Sequence, residues 1–133
     1  FFPNAKFIHT YRNLKDSIIG IYQTMLPELS WSHRIEDIIN YIDIYKKVIS
    51  YFKNKYPEKI LNIDLVKLSN QKEIESKKIL NFCNIKFSKE FLKIDKNKEL
   101  FNKTNSFMQV KEEIHKYDDN KYQPYYHLIT ELN

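Results

Sequence analysis

Arg12 is one of only two arginines among 22 basic residues, and it stands where an apolar run gives way to a helix-capping residue. Arginine and lysine meet phosphate differently: guanidinium is a planar fork that pairs with two oxygens, whereas ammonium acts as a point charge. The run Lys6-Phe7-Ile8-His9-Thr10-Tyr11 before it is β-rich and too short for a helix, and Asn13 after it is a good N-cap. An arginine between a strand end and a helix N-terminus sits beside free backbone amides at the positive end of the helix dipole, which is phosphate-binding chemistry. The same position also suits an arginine that pairs a carboxylate at a sheet edge.

Other chemistry-bearing residues are less ordered in their spacing. His9, His33, His115 and His127 have no metal-ligand spacing with Cys83 or with one another, so no metal is expected. The lone cysteine cannot form an internal disulfide and reads as a buried thiol. Adjacent acids, Glu112-Glu113 and Asp118-Asp119, point to different faces and read as solvated. Trp31 and the ten tyrosines could stack on a base, but their helical spacing marks them as core, and His9, within a strand, reads as a packed, hydrogen-bonded core histidine rather than a catalyst. A single glycine, Gly20, excludes Gly-rich phosphate loops, dinucleotide fingerprints and nucleophile elbows from these residues.

Elements that would position Arg12 follow from the periodicity. The first strand, over residues 6–11, reads as buried. A helix from Asn13, with Asp16 answering as in a capping box, carries Leu14, Ile18, Ile21, Tyr22 and Met25 on one stripe and ends before Pro27. A long helix over residues 35–56 repeats Ile35, Ile39, Ile42, Tyr45, Ile49, Phe52 and Tyr56, closed by Pro57. Residues 59–63 form a second short strand. Asn70 with Glu73 at capping spacing opens a helix through Phe82, residues 94–106 form a loop, and a last helix from Pro124 carries Tyr125, Tyr126, Ile129 and Leu132. Strand, helix, long helix, strand, helix is the order of a right-handed parallel α/β sheet.

With 133 residues the chain buries one core, as one domain or part of one. The formal charge of +5 is spread among acids and asparagines, which favours anionic ligands weakly and makes a nucleic-acid partner unlikely on composition. No apolar run is long enough to span a bilayer and no signal-peptide pattern is present, so a cytoplasmic protein is expected. The opening Phe1-Phe2-Pro3-Asn4 lacks methionine and runs straight into the strand, which suggests upstream sequence.

The segment from Phe2 through Arg12 to Asp16, followed by Tyr22, resembles the strand–Arg–helix segment of the sulfotransferase superfamily, especially its bacterial and protein-tyrosine branches. The resemblance continues through Leu29-Ser30-Trp31, then Leu68-Ser69-Asn70-Gln71-Lys72-Glu73 to Ile79-Leu80-Asn81-Phe82-Cys83. Thr104-Asn105-Ser106-Phe107-Met108-Gln109-Val110-Lys111 is similar to the family's Thr-x-Ser-x-x-Gln-Val-Arg, and Lys121-Tyr122 stands where a basic residue and tryptophan are usual.

The resemblance implies a helix-rich, P-loop NTPase-like sulfotransferase fold with a parallel sheet. It also implies that residues 1–133 are the C-terminal part of one such domain, acting on 3′-phosphoadenosine 5′-phosphosulfate and a hydroxyl or amine acceptor of unknown class. Arg12 would hold the nucleotide's 3′-phosphate, Ser106 would donate a hydroxyl to the phosphates, and Lys121 would approach the same region. Gly20 stands where the family usually has a serine that shares the 3′-phosphate, and Ser17, three residues earlier on the same helix face, is the candidate substitute. Leu14 replaces a usual proline, and Leu65-Val66 a usual Tyr-Glu. The 5′-phosphosulfate loop and the catalytic base are expected upstream of Phe1, so the chain alone is expected to be inactive. Two alternatives are a degenerate, non-catalytic module of the same fold and a helical interaction or nucleic-acid-binding domain.

Overall fold

The computed structural model describes residues 3–92, 116–118 and 120–129. The loop expected at residues 94–106 and the Thr104–Lys111 motif with Ser106 lie outside the described residues, as do Glu112-Glu113 and Leu132. The described chain falls into two compact units: residues 1–62 with 118–133, and residues 63–117.

In the first unit, strand β1 (Phe7–Tyr11) leads into helix α1 (Leu14–Thr24). Asn13 caps α1 as its sequence type requires, its side chain accepting from the backbone N–H of Lys15 at 2.8 Å and of Asp16 at 3.4 Å. Asp16 is buried rather than lying on the surface turn, and its carboxylate accepts the hydroxyl of Tyr126 at 2.5 Å. The helix stops at Met25, which adopts φ 43° and donates its N–H to the carbonyls of Ile21 and Tyr22. This left-handed cap is more often glycine. Because Met25 has left the helix it does not join the apolar stripe: it is exposed, Tyr22 is partly so, and the buried pair is Ile18 and Ile19.

A 3-10 turn over Ser30–His33 leads into α2 (Ile35–Lys55). Ile38, Ile39 and Ile42 on its first half pack against Ile18 and Ile19 of α1, and the cluster is completed by Tyr122 and Ile129. Trp31 packs at the edge of this core with its indole stacked on Tyr41, ring centroids 3.9 Å apart. The final segment, Gln123–Leu128, is a 3-10 helix instead of the α-helix expected, and Ile129 just beyond it is the residue that reaches the core. Beyond Pro57 the chain enters strand β2 (Ile60–Asp64), which pairs in parallel with β1 in a two-stranded sheet.

The expectation of a buried first strand is corrected. Phe7 is 61% and Ile8 42% exposed, and since successive strand residues point to opposite faces, neither face of β1 is fully buried by the described residues.

The second unit holds α3 (Leu65–Asn70) and α4 (Lys72–Phe82). The helical region starts earlier than expected, because Asp64 caps α3 by accepting from the N–H groups of Val66 and Lys67. Asn70 is therefore the last residue of α3, not the cap of a longer helix, and the chain kinks at Gln71 before α4. Ser69 donates to the Val66 carbonyl and accepts from the Tyr117 N–H, and buried Glu75 pairs with Lys78. At the end of α4, Asn84 takes φ 59° and the Ile85 N–H bonds the Leu80 carbonyl at 2.8 Å. Cys83, expected to be a buried thiol, is half-buried at this exposed helix end.

Candidate functional site

Arg12 leaves the end of β1 two residues before α1 begins, so its side chain lies along the first turns of that helix. Its Nη2 donates to the Asp16 carbonyl at 3.3 Å, and its guanidinium carbon is 5.4 Å from the centre of the Tyr122 ring. No ion pair between Arg12 and a carboxylate is formed among the described residues, whereas Arg34 pairs Glu36 at 2.6 Å on the surface. A guanidinium has more N–H donors than one backbone contact uses, so Arg12 retains donors for an anion.

Gly20 is what lets the guanidinium come this close. A Cβ on residue 20 would stand 2.5 Å from Arg12 Nη2, well inside van der Waals contact, and 3.5 Å from the Tyr122 hydroxyl. The only glycine of the chain is thus the floor of a small cradle walled by an arginine fork and a phenol. Lys121 adds a second cation, its Nζ 5.1 Å from the centre of the same Tyr122 ring. Arg12, Gly20 and Lys121, singled out from sequence, are brought together around one aromatic ring. Each cation gains a favourable contact with the ring's electron density without losing its charge.

Ser17 is placed differently. Its hydroxyl donates to the Asn13 carbonyl at 2.9 Å, one turn back in the same helix, which leaves it lone pairs but no proton for a phosphate oxygen. Ser106 lies outside the described residues.

Tyr122 is the residue that sequence reasoning named without assigning it a role. Its segment is held against α1 by Tyr126, whose hydroxyl bonds Asp16, and by the burial of Ile129. A separation of 110 residues between Asp16 and Tyr126 has no local sequence signal.

A groove of about 580 Å³ lies elsewhere in the first unit, between β1 and the second half of α2, lined by Phe7, His9, Tyr45, Phe52, Tyr56 and Ile60 among others. It shares no residue with the Arg12 cradle. Its one cationic lining residue, Lys59, donates to the Pro3 carbonyl at 2.8 Å, so the groove offers an anion little. His9 on its wall lies 3.1 Å from the Asn62 side-chain oxygen and 5.7 Å, centre to centre, from the Tyr45 ring. It is hydrogen-bonded as expected, but it is half-buried on the groove wall and not part of the core. Burial, with help from Tyr41, raises the pKa of Tyr45 above the ordinary value of 10.0.

Among known proteins, the chain is 25% identical over 133 residues to an uncharacterized protein of Aquifex aeolicus (strain VF5). The match takes in 97% of this chain but spans only 17% of that protein's length. No solved structure matches. Residues 1–89, which contain β1, Arg12, Gly20, both long helices of the first unit and α4, match the pattern of the Sulfotransferase family. With 89 of its 133 residues matched, the chain belongs to the sulfotransferase family.

Proposed function

We propose that this chain is the part of a sulfotransferase that binds the 3′ end of 3′-phosphoadenosine 5′-phosphosulfate, the sulfuryl donor. The observation that carries the reading is the convergence of Arg12 and Lys121 on the Tyr122 ring, with the Arg12 guanidinium lying against α1 at Gly20. Two cations on one aromatic ring, one of them a guanidinium fork, suit a dianionic phosphate. Gly20 lets the Arg12 fork lie against the helix beside the Tyr122 hydroxyl, which groups N–H and O–H donors for such a group. By the resemblance, Ser106 contributes a hydroxyl to the nucleotide phosphates, and Ser17 contributes only if its bond to Asn13 is released.

In the reaction, the acceptor's oxygen or nitrogen bonds to sulfur as the bond from sulfur to the bridging phosphate oxygen breaks. The acceptor's proton passes to a base, and adenosine 3′,5′-bisphosphate departs with the electron pair. The residues of this chain fix the nucleotide so that the sulfuryl group is held in line with the acceptor, an orientation effect. Fixing the end of the donor that does not react contributes to rate only through that positioning.

Arg12→Ala in the full-length protein tests this. The affinity for adenosine 3′,5′-bisphosphate, measured by calorimetry, is expected to fall roughly a hundredfold, the size of losing a bidentate charge-assisted pair. An unchanged dissociation constant overturns the reading. Absence of binding by the unaltered protein would instead favour a degenerate module of the same fold.

A further inference from the structure

We infer that α2 carries a self-complementary face through which two copies of this chain pair antiparallel about a two-fold axis, a face that shares no residue with the Arg12 site.

Tyr41, Ile44, Val48 and Tyr51 follow one another along α2 at separations of three, four and three residues, which places them in one row on the helix surface. They are 47%, 63%, 46% and 56% exposed among the described residues, on a flank of the helix away from Ile38, Ile39 and Ile42. Single apolar residues on a surface are ordinary, but an unbroken apolar row over about three helical turns marks an interaction surface. Separations that alternate between three and four are those of a seam that packs against a second helix.

The ends of the row decide which helix fits it. Asp37 stands four residues before Tyr41 and Lys55 four residues after Tyr51, so the whole row is spaced four, three, four, three, four. That order reads the same from either end. An antiparallel copy whose axis passes between Ile44 and Val48 therefore brings Asp37 opposite Lys55, Tyr41 opposite Tyr51 and Ile44 opposite Val48. Each pair then occurs twice, as a two-fold axis requires. A parallel copy would instead set Asp37 against Asp37 and Lys55 against Lys55. Acids early and lysines late in a helix also suit its dipole, but the dipole asks nothing of the four exposed residues between them.

Local contacts prepare this face for docking. Tyr41 is held by its stack on Trp31 and Tyr51 by the edge of Phe52, so neither ring loses much freedom when it is covered. Lys55 donates one proton to the Tyr51 hydroxyl at 3.3 Å, which leaves its ammonium further donors for a carboxylate. Arg34 makes its short contact with Glu36 and stands 4.0 Å from Asp37, whose side chain remains partly exposed. Lys47 flanks the middle of the row and approaches its own copy, a repulsion that a long, exposed side chain relieves by turning outward. A contact of this length removes on the order of 1,000 Å² from water, the lower bound for specific interfaces, so a micromolar dissociation constant is expected.

Sedimentation equilibrium of the full-length protein across roughly 1–100 μM brackets such a constant, and the unaltered protein is expected to pass from monomer to dimer within that range. Ile44→Asp, at the most exposed position of the row, leaves the core untouched and is expected to weaken the dimer about a hundredfold, because each copy then sets a carboxylate in the apolar seam. Asp37→Lys and Lys55→Asp are each expected to weaken it about tenfold. The double variant is expected to associate more tightly than either single one, because opposite charges face each other again. A protein that stays monomeric throughout the range overturns the inference and leaves the row to another part of the chain or to water. A dimer that Ile44→Asp leaves intact also overturns it, since the copies then meet elsewhere. A double variant no tighter than the single ones overturns the antiparallel pairing.

Discussion

The two halves of α2 carry the same apolar rhythm and meet different surroundings. In the first half, Ile38, Ile39 and Ile42 lie against α1 and the segment around Tyr122, with Ile38 wholly excluded from solvent. In the second half the same stripe continues through Ile49, which is only half-buried, and Phe52, which is 44% exposed, and both border the apolar groove beside β1. Hydrophobic burial stabilises in proportion to area removed from water, so two stretches of near-equal hydrophobicity contribute unequally to the fold. The periodic pattern identifies a face of a helix, whereas the burial of that face depends on what the rest of the chain lays over it.

The largest expected effect separates the two halves directly. Ile38→Ala removes a fully buried side chain and is expected to destabilise by about 3 kcal/mol, the range for large-to-small changes in a packed core. Phe52→Ala, on the same stripe but 44% exposed, is expected to cost no more than about 1.5 kcal/mol. Urea unfolding followed by circular dichroism measures both. Similar losses at the two sites would mean that the second half of α2 is covered in solution.

A smaller effect is expected where the chain's C-terminal segment is fastened to α1. Tyr126→Phe removes the hydroxyl that bonds the buried Asp16 carboxylate, leaving that acceptor with one donor fewer. The expected cost is about 1–2 kcal/mol. Because the same segment carries Tyr122 and Lys121, nucleotide affinity should fall with stability. A stability loss without any change in affinity would show that the cradle keeps its geometry independently of this fastening.

These residues also show where sequence was informative. Asn13 as a cap, the span of α2 up to Pro57, and Arg12 at a strand–helix junction are written in local spacing, and the structure forms each of them. The exposure of β1 was not legible, because an apolar strand in a two-stranded sheet has the same sequence whether or not another layer covers it. Asp64 as the cap of α3 was obscured by the apolar strand residues before it, which pulled the expected helix start on to Asn70. The cradle was half legible: Gly20 and Lys121 stood out by type, but the approach of Tyr122 to Gly20 depends on packing between residues a hundred positions apart. Ile19 was missed because the stripe was counted through Met25, whose left-handed cap takes it off the helix.

The smallest effect concerns the groove side of the comparison. Partial burial, with Tyr41 nearby, raises the pKa of Tyr45 above 10.0, so the folded protein holds that proton more tightly than the unfolded chain does. A group that binds its proton more tightly when folded adds stability that is fully present below the unfolded pKa and is lost as pH rises through the folded value. The window therefore opens just above pH 10.0. Other tyrosines and the lysines titrate in the same range, so the test is a difference: the slope of unfolding free energy against pH in the unaltered protein minus that in Tyr45→Phe. A steeper fall in the unaltered protein is expected, and its size is limited because Tyr45 is 40% exposed and well screened by water. Equal slopes would place the Tyr45 hydroxyl in solvent. A much steeper fall would mean that the groove is closed in solution, which would make the second half of α2 as buried as the first.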